Sequence, residues 1–303
     1  MLRFALELLP PLLLGLALGR RFPSLPGRLA GPLVHVGIPF TLVGLLLRSG
    51  LGAELLLSGV AAGLISAIGL LLVCLLPPLR RQLPRPGLRL GAVVGNTGYF
   101  GIPVALALLP PHGLAHAITY DLVGTLITWS VGPLLIEGKA PASGHLLRFL
   151  SGSPAVRGLA IALLIQITPW QSALAQGLWL PARAVLLLAL AALGMRLGVM
   201  LRQPDGLRLA PGEARPLLLA LAFKLLVLPL VALLVAAALG LPGTIRAAVV
   251  LQAAAPTAIS ALLLAEAAGR DQEPSAHLVL WTTALALLTV PAWWERLRLV
   301  AGG

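Results

Sequence analysis

The chain has 303 residues, 58% hydrophobic and only 11% charged, with 22 Lys and Arg against 10 Asp and Glu for a formal net charge of +12. A soluble domain carries roughly 25% charged residues and about 45–50% apolar ones, so a water-soluble enzyme and a disordered chain are both excluded by composition. The apolar excess comes in blocks with the basic residues between them, which points to an integral membrane protein and away from nucleic-acid binding.

A bilayer core needs about 20 apolar residues per helix, and ten blocks qualify in chain order: 4–19, 31–47, 54–77, 88–110, 112–136, 154–170, 179–201, 214–239, 243–267 and 275–296. None has the alternating pattern of a membrane β-barrel. The first resembles a signal peptide, with Arg3 ahead of its apolar stretch, but Gly19-Arg20-Arg21 follows without a persuasive cleavage site, so it is kept as a span. The loops after odd-numbered blocks hold most of the basic residues, among them Arg20, Arg21, Arg80, Arg81, Lys139, Arg148, Arg202, Arg208 and Arg270. The positive-inside rule then puts those loops in the cytoplasm and both termini on the other side of a plasma membrane or bacterial inner membrane. The lone Cys74 cannot form an intrachain disulfide.

The chain divides near EGKAPASGH into a first half, 1–140, and a second, 141–303, each with five blocks. An odd number of crossings per half inverts the second half relative to the first, as in many secondary transporters. The fourth block contains GNTGYFGIP, Gly95 to Pro103, and the ninth contains LQAAAPTAIS, with Pro256 between Gln252, Thr257 and Ser260. Both are poor continuous helices. Backbone unwound at membrane depth is tolerated only inside protein or beside a wet cavity. Paired breaks in corresponding places therefore predict a midplane site whose half-helix N-termini suit an anion; packing kinks are the plainer alternative.

These residues carry a family resemblance. GNTGYFGIPVAL at 95–106, FLSGSPAVRGLAIAL at 149–163, FKLLVLPL at 223–230, LQAAAPTAISALLLAEAAGRD at 251–271 and LALLTVPAW at 285–293 resemble the auxin efflux carrier family, which includes plant auxin exporters and bacterial malonate-type permeases. The resemblance implies an all-α fold shared with bile acid–sodium symporters: ten transmembrane helices in two inverted five-helix repeats, with crossing broken helices 4 and 9. It implies a scaffold of spans 1, 2, 6 and 7, a homodimer through that scaffold, and a transport domain of spans 3–5 and 8–10 that moves like an elevator. Carried over by motif, the substrate-binding positions are Asn96, Thr97, Gly98 and Pro103 in span 4 and Gln252, Pro256 and Thr257 in span 9. Span 3 departs from the plant members: it has no charge after Glu54, where they keep an acidic and a basic residue.

Ionisable residues at membrane depth are costly and usually functional. Asp121 lies in span 5 with Thr125 and Thr128 on its helical face, and is expected to be a proton or cation coupling site, with a structurally paired carboxylate as the alternative. Lys224, deep in span 8, is expected to pair with Asp121 or to neutralise a substrate carboxylate. Arg196 is expected to snorkel, Glu266 and Asp271 to be solvated helix ends, His112 and His116 to be interfacial, and Trp281, Trp293 and Trp294 to sit in the interfacial belt. No HExxH or GxSxG pattern is present, and His35, His112, His116, His145 and His277 are scattered. No enzyme chemistry and no cofactor are expected. The expected function is secondary active transport of small organic anions, carboxylates of auxin-like or dicarboxylate type, driven by a proton or sodium. A sodium-coupled bile-acid-type symporter on the same fold is the alternative.

Overall fold

The structure, a computed structural model, describes residues 2–50, 52–138, 152–202 and 212–301. The repeat boundary at 140/141, His145 and the basic loop residues Lys139, Arg148 and Arg208 lie outside the described residues. Regular structure among them is helical apart from one isolated β-bridge. In chain order the membrane-length elements are α1 (Leu2–Arg21), α2 (Leu25–Ser49), α3 (Leu55–Leu75), α5 (Pro111–Glu137), α7 (Gln171–Arg202), α8 (Ala214–Ala238) and α10 (Gln272–Ala301). By length and composition these seven helices can cross a membrane. Between them lie α6 (Pro154–Gln166), which stops short of the predicted residue 170, and two interrupted segments, α4 and α9. The halves of α4 are α4a (Pro86–Gly91) and α4b (Thr97–Leu108); those of α9 are α9a (Gly243–Ala253) and α9b (Ile259–Ala267).

Small residues set the closest approaches. Gly15 and Gly19 of α1 face Gly194 and Gly198 of α7, and a Cβ on any of the four would collide with backbone of the opposite helix. Two G-x-x-x-G steps thus bring these backbones together, as lipid-embedded helices require when no hydrophobic force drives their association. Gly44 meets Leu178 and Ala182 of α7, and Gly158 meets Pro39 and Leu42, so α1, α2, α6 and α7 pack as one group. The second group runs α3 against α5 and α8, α8 against α9a, α9a against α5, and α10 against α4a and α9b.

Three helices contain a wide π-type turn, each two residues ahead of a proline: Leu33–Gly37 before Pro39, Thr97–Gly101 before Pro103, and Phe223–Val227 before Pro229. Proline has no N–H and its ring collides with the carbonyl four residues back. The wide turn moves the hydrogen bond of the preceding residue to the fifth carbonyl: Ile38 to Leu33, Ile102 to Thr97 and Leu228 to Phe223. In α8 the carbonyl left over, that of Leu225, accepts Trp293 Nε1–H at 2.9 Å. Trp293, expected in the interfacial belt, is therefore also a strut between α10 and α8.

Candidate functional site

The α4a helix ends at Gly91, ahead of the run Gly95-Asn96-Thr97-Gly98 that leads into α4b, and α9a ends at Ala253 in a run of alanines before Pro256. The two breaks meet. Gly95 and Thr257 form the antiparallel bridge, with Asn96 N–H donating to Pro256 O at 2.6 Å and Ala258 N–H donating to Val94 O at 3.1 Å. Thr257 closes the arrangement: its hydroxyl donates to Gly91 O at 2.8 Å, and its N–H donates to the Thr282 hydroxyl at 3.0 Å. Backbone groups freed by unwinding find partners inside the protein, which is what makes non-helical backbone tolerable at this depth.

Charges flank the bridge. Lys224, fully buried, donates through Nζ to Ala253 O at 2.8 Å, at the C-terminal end of α9a, where a cation complements the helix dipole. A Cβ on Gly95 would stand 3.2 Å from that Nζ, so the crossing backbone runs directly past it. Asp121 instead accepts the Thr97 hydroxyl at 2.5 Å, and a Cβ on Gly98 would stand 3.2 Å from its Oδ1. The expected Lys224–Asp121 pair does not form. Each takes a partner on the crossing, because each lies nearer to one of the two broken backbones than to the other side chain.

A cavity of about 340 Å³ opens against α4. Its walls come from α2 (Leu33, Gly37, Thr41), the crossing (Gly95 to Tyr99), α5 (Asp121, Thr125, Trp129), the start of α6 (Ser153, Pro154), α7 (Ala189, Leu193, Arg196) and the first turn of α9b (Ala258 to Ser260). That volume is in the range of small-molecule sites, about 300–1,000 Å³. The opening turns of α4b and α9b both reach it, and the first N–H groups of a helix have no intrahelical acceptor. Asn96 caps α4b, its Oδ1 accepting Tyr99 N–H at 3.3 Å, while its buried Nδ2 has no hydrogen-bond partner among the described residues.

Of the residues predicted from sequence, Asn96, Thr97, Gly98 and Asp121 line this cavity together. Gln252, Pro256, Thr257, Pro103 and Lys224 are not on its wall. Gln252 is fully buried; its Nε2 donates to Ala117 O of α5 at 3.1 Å, and its Oε1 is packed against Gly101.

A model of the membrane transport protein family matches residues 142–294, about half of the chain. The chain belongs to this family. It is similar, at 26% identity over 209 residues, to an uncharacterized transporter of Methanothermobacter thermautotrophicus, the match covering 68% of this chain and 66% of that protein. It is also 25% identical over 213 residues to an uncharacterized transporter of Methanocaldococcus jannaschii, covering 68% and 67%. The chain thus matches about two thirds of the length of these relatives. It is a multi-pass member of a membrane transporter family, of the auxin efflux carrier type that its motifs resemble. The family match takes in the α9 break and its Pro256, while the α4 break precedes it.

In this transporter the structure also places three further residues. Arg196, expected to snorkel, lies half-buried on the cavity wall, on the same α7 face as Ala189 and Leu193. Its position inside an apolar run was a signal in the sequence, outweighed there by its nearness to the end of the predicted span. Asp271 is not a solvated helix end: its carboxylate accepts Gly87 N–H at 2.9 Å and meets Arg85 at 3.5 Å, and Arg85 also bonds Glu213. This cluster ties the entry of α4a to α8 and α10. His116, expected near the outer interface, is buried within the protein, with its Nδ1 3.2 Å from the Ser58 hydroxyl of α3.

Proposed function

We propose that the protein is a secondary carrier of small organic anions that works by alternating access. The observation that carries this reading is the meeting of two half-helix N-terminal turns, with Asn96, Thr97 and Gly98 beside them, on the wall of one cavity. Unpaired N–H groups and the positive pole of each half-helix favour a carboxylate there. In this reading α1–α5 and α6–α10 are two inverted five-crossing repeats, with both termini on the non-cytoplasmic side.

In this reading two copies pair through a scaffold of α1, α2, α6 and α7; the packing into two groups supports a division into that scaffold and a transport domain of α3–α5 and α8–α10. The cavity lies along the seam between them, so a displacement of one group past the other would carry bound anion across the membrane. Asp121, joined to the first turn of α4b through Thr97, is the coupling carboxylate. Lys224 already places a cation at the C-terminal end of α9a, and this favours a proton over sodium as the coupling ion.

The test is flux of labelled malonate, lactate and indole-3-acetate in proteoliposomes, with proton and sodium gradients imposed separately. Saturable flux driven by the proton gradient and abolished by Asn96→Ala is expected; absence of flux for every carboxylate under every gradient would sink the reading.

A further inference from the structure

We propose that Arg196 is the charge anchor of the cavity, and that the site accepts a monoanion with an apolar body in preference to a dianion; this rests on the carrier reading above. The other placed basic residues of α7 have partners: Arg183 binds Glu7 at 2.7 Å and Arg202 donates to Arg20 O at 3.2 Å. Arg196 forms no ion pair or hydrogen bond among the described residues, although it lies half-buried in an apolar helix. A guanidinium stays charged under all ordinary conditions, and one half-buried among apolar side chains is only partly hydrated. An anion entering the cavity that it lines would supply the counter-charge that no described residue gives it.

The surroundings define that anion. The α7 helix packs against Thr97–Gly101, so Arg196 and the opening turn of α4b belong to one positive region. Asn96 lies in that region, nine-tenths buried and with Nδ2 unpartnered. Together they can hold a single carboxylate, the guanidinium in bidentate fashion. Across the rest of the wall stand mainly apolar side chains such as Leu33, Ile38, Leu186 and Leu263, with the neutral hydroxyls of Thr41, Thr125, Ser153 and Ser260 between them, and the acid among the lining residues is Asp121. A second carboxylate would find neutral hydroxyls and the partial charge of the α9b terminus but no second guanidinium, and would share the cavity with Asp121, losing hydration without a full counter-charge. Arg196 comes from the scaffold-side group and Thr97 from the other, so the anion would be gripped from both sides of the seam.

The experiment is calorimetric titration of the full-length protein in lipid nanodiscs with benzoate, benzamide and succinate. Benzoate should bind at least tenfold more tightly than either benzamide or succinate. Arg196→Gln should weaken benzoate at least tenfold and leave benzamide within twofold, whereas Arg196→Lys should retain most of the benzoate affinity. A fall in both ligands equally would mark Arg196 as structural and overturn the assignment. Unchanged benzoate binding in Arg196→Gln would overturn it while the carrier reading stood. Succinate binding as tightly as benzoate to the unaltered protein would overturn the preference for a monoanion even where the Gln variant failed to fold. Binding of neither anion to the unaltered protein would remove both the anchor and the anion-carrier reading.

Discussion

The two broken helices meet at one bridge but are built for different work. The α4 break is glycine, asparagine and threonine, and it faces the cavity: Asn96 has an unpartnered amide and Thr97 reaches Asp121. The α9 break is alanine and proline, and its polar side chains Gln252 and Thr257 turn into the protein, to the carbonyls of Ala117 and Gly91, while Ser260 in the first turn of α9b reaches the cavity. The α4 break presents most of the side-chain chemistry, and the α9 break lends the cavity its helix terminus while fastening the first in place. A pair of matching breaks is therefore weak ground for assigning matching roles: which way the side chains point decides.

The largest effect should come from filling the contact between the two. Gly101→Val drives a side chain into Gln252 Oε1, which cannot retreat because its Nε2 is held by Ala117. Overpacking a tight site costs about 1–3 kcal/mol or more, so folded yield and melting temperature in detergent should drop sharply. Gly101→Val combined with Gln252→Ala should recover much of both, and failure of that rescue would mean the contact is not what limits this position.

Next comes a change that strikes the chemistry and spares the fold. Asn96→Asp keeps an oxygen to accept Tyr99 N–H, and Asp and Asn are about equal as N-caps. It removes the free amide and puts a negative charge where an anion is to bind. Melting temperature should hold while anion flux falls at least tenfold, a loss of about 1.4 kcal/mol or more. If stability falls and normalised flux survives, the α4 break is structural, like its partner.

Much of this comparison was legible in the sequence, for identifiable reasons. Glycine, proline and adjacent polar residues inside an apolar block announce a break, and the breaks at Gly95–Asn96 and Pro256 are where the blocks implied. Asp121 was found because a carboxylate within a span stands out. Orientation around a break was not legible. Gln252 and Thr257 have the composition of ligand groups, yet their hydrogen bonds go to carbonyls of α5 and α4a, partners distant in sequence. The absence of the Lys224–Asp121 pair has the same origin, since the carbonyl that takes Lys224 is exposed only by the unwinding of α9. The place of Arg196 on the cavity wall was not legible either: the span end was placed almost where α7 stops, but which face of its last turns meets the cavity depends on packing between helices distant in sequence.

A smaller effect should follow from loosening the fastening side. Thr257→Val preserves shape but leaves Gly91 O without its donor. A hydrogen bond of this kind contributes about 0.5–1.5 kcal/mol, so a modest fall in melting temperature is expected, with flux per folded molecule unchanged. Flux lost without loss of stability would move Thr257 into the binding site.

The smallest stability change, and the finest test of the asymmetry, is Pro103→Ala. Pro103 is buried in α4b behind the wide turn Thr97–Gly101 and is absent from the cavity wall, so it can act on transport only through backbone shape. Alanine restores an N–H at 103 that can reach the carbonyl of Tyr99 and removes the ring that forbids a regular turn. The first turn of α4b would tighten toward an ordinary α-helix, shifting the N–H groups of Thr97 and Gly98 away from the cavity. Melting temperature should hold or rise while flux falls severalfold. Pro229→Ala supplies the comparison: the same wide turn precedes Pro229 in α8, but Trp293 takes the Leu225 carbonyl and that turn reaches the crossing only through Lys224 and does not line the cavity, so flux should fall less than in Pro103→Ala. Equal losses in the two variants would mean that wide turns matter for packing in general. A greater loss in Pro103→Ala would tie the shape of the α4 break to the binding of the anion.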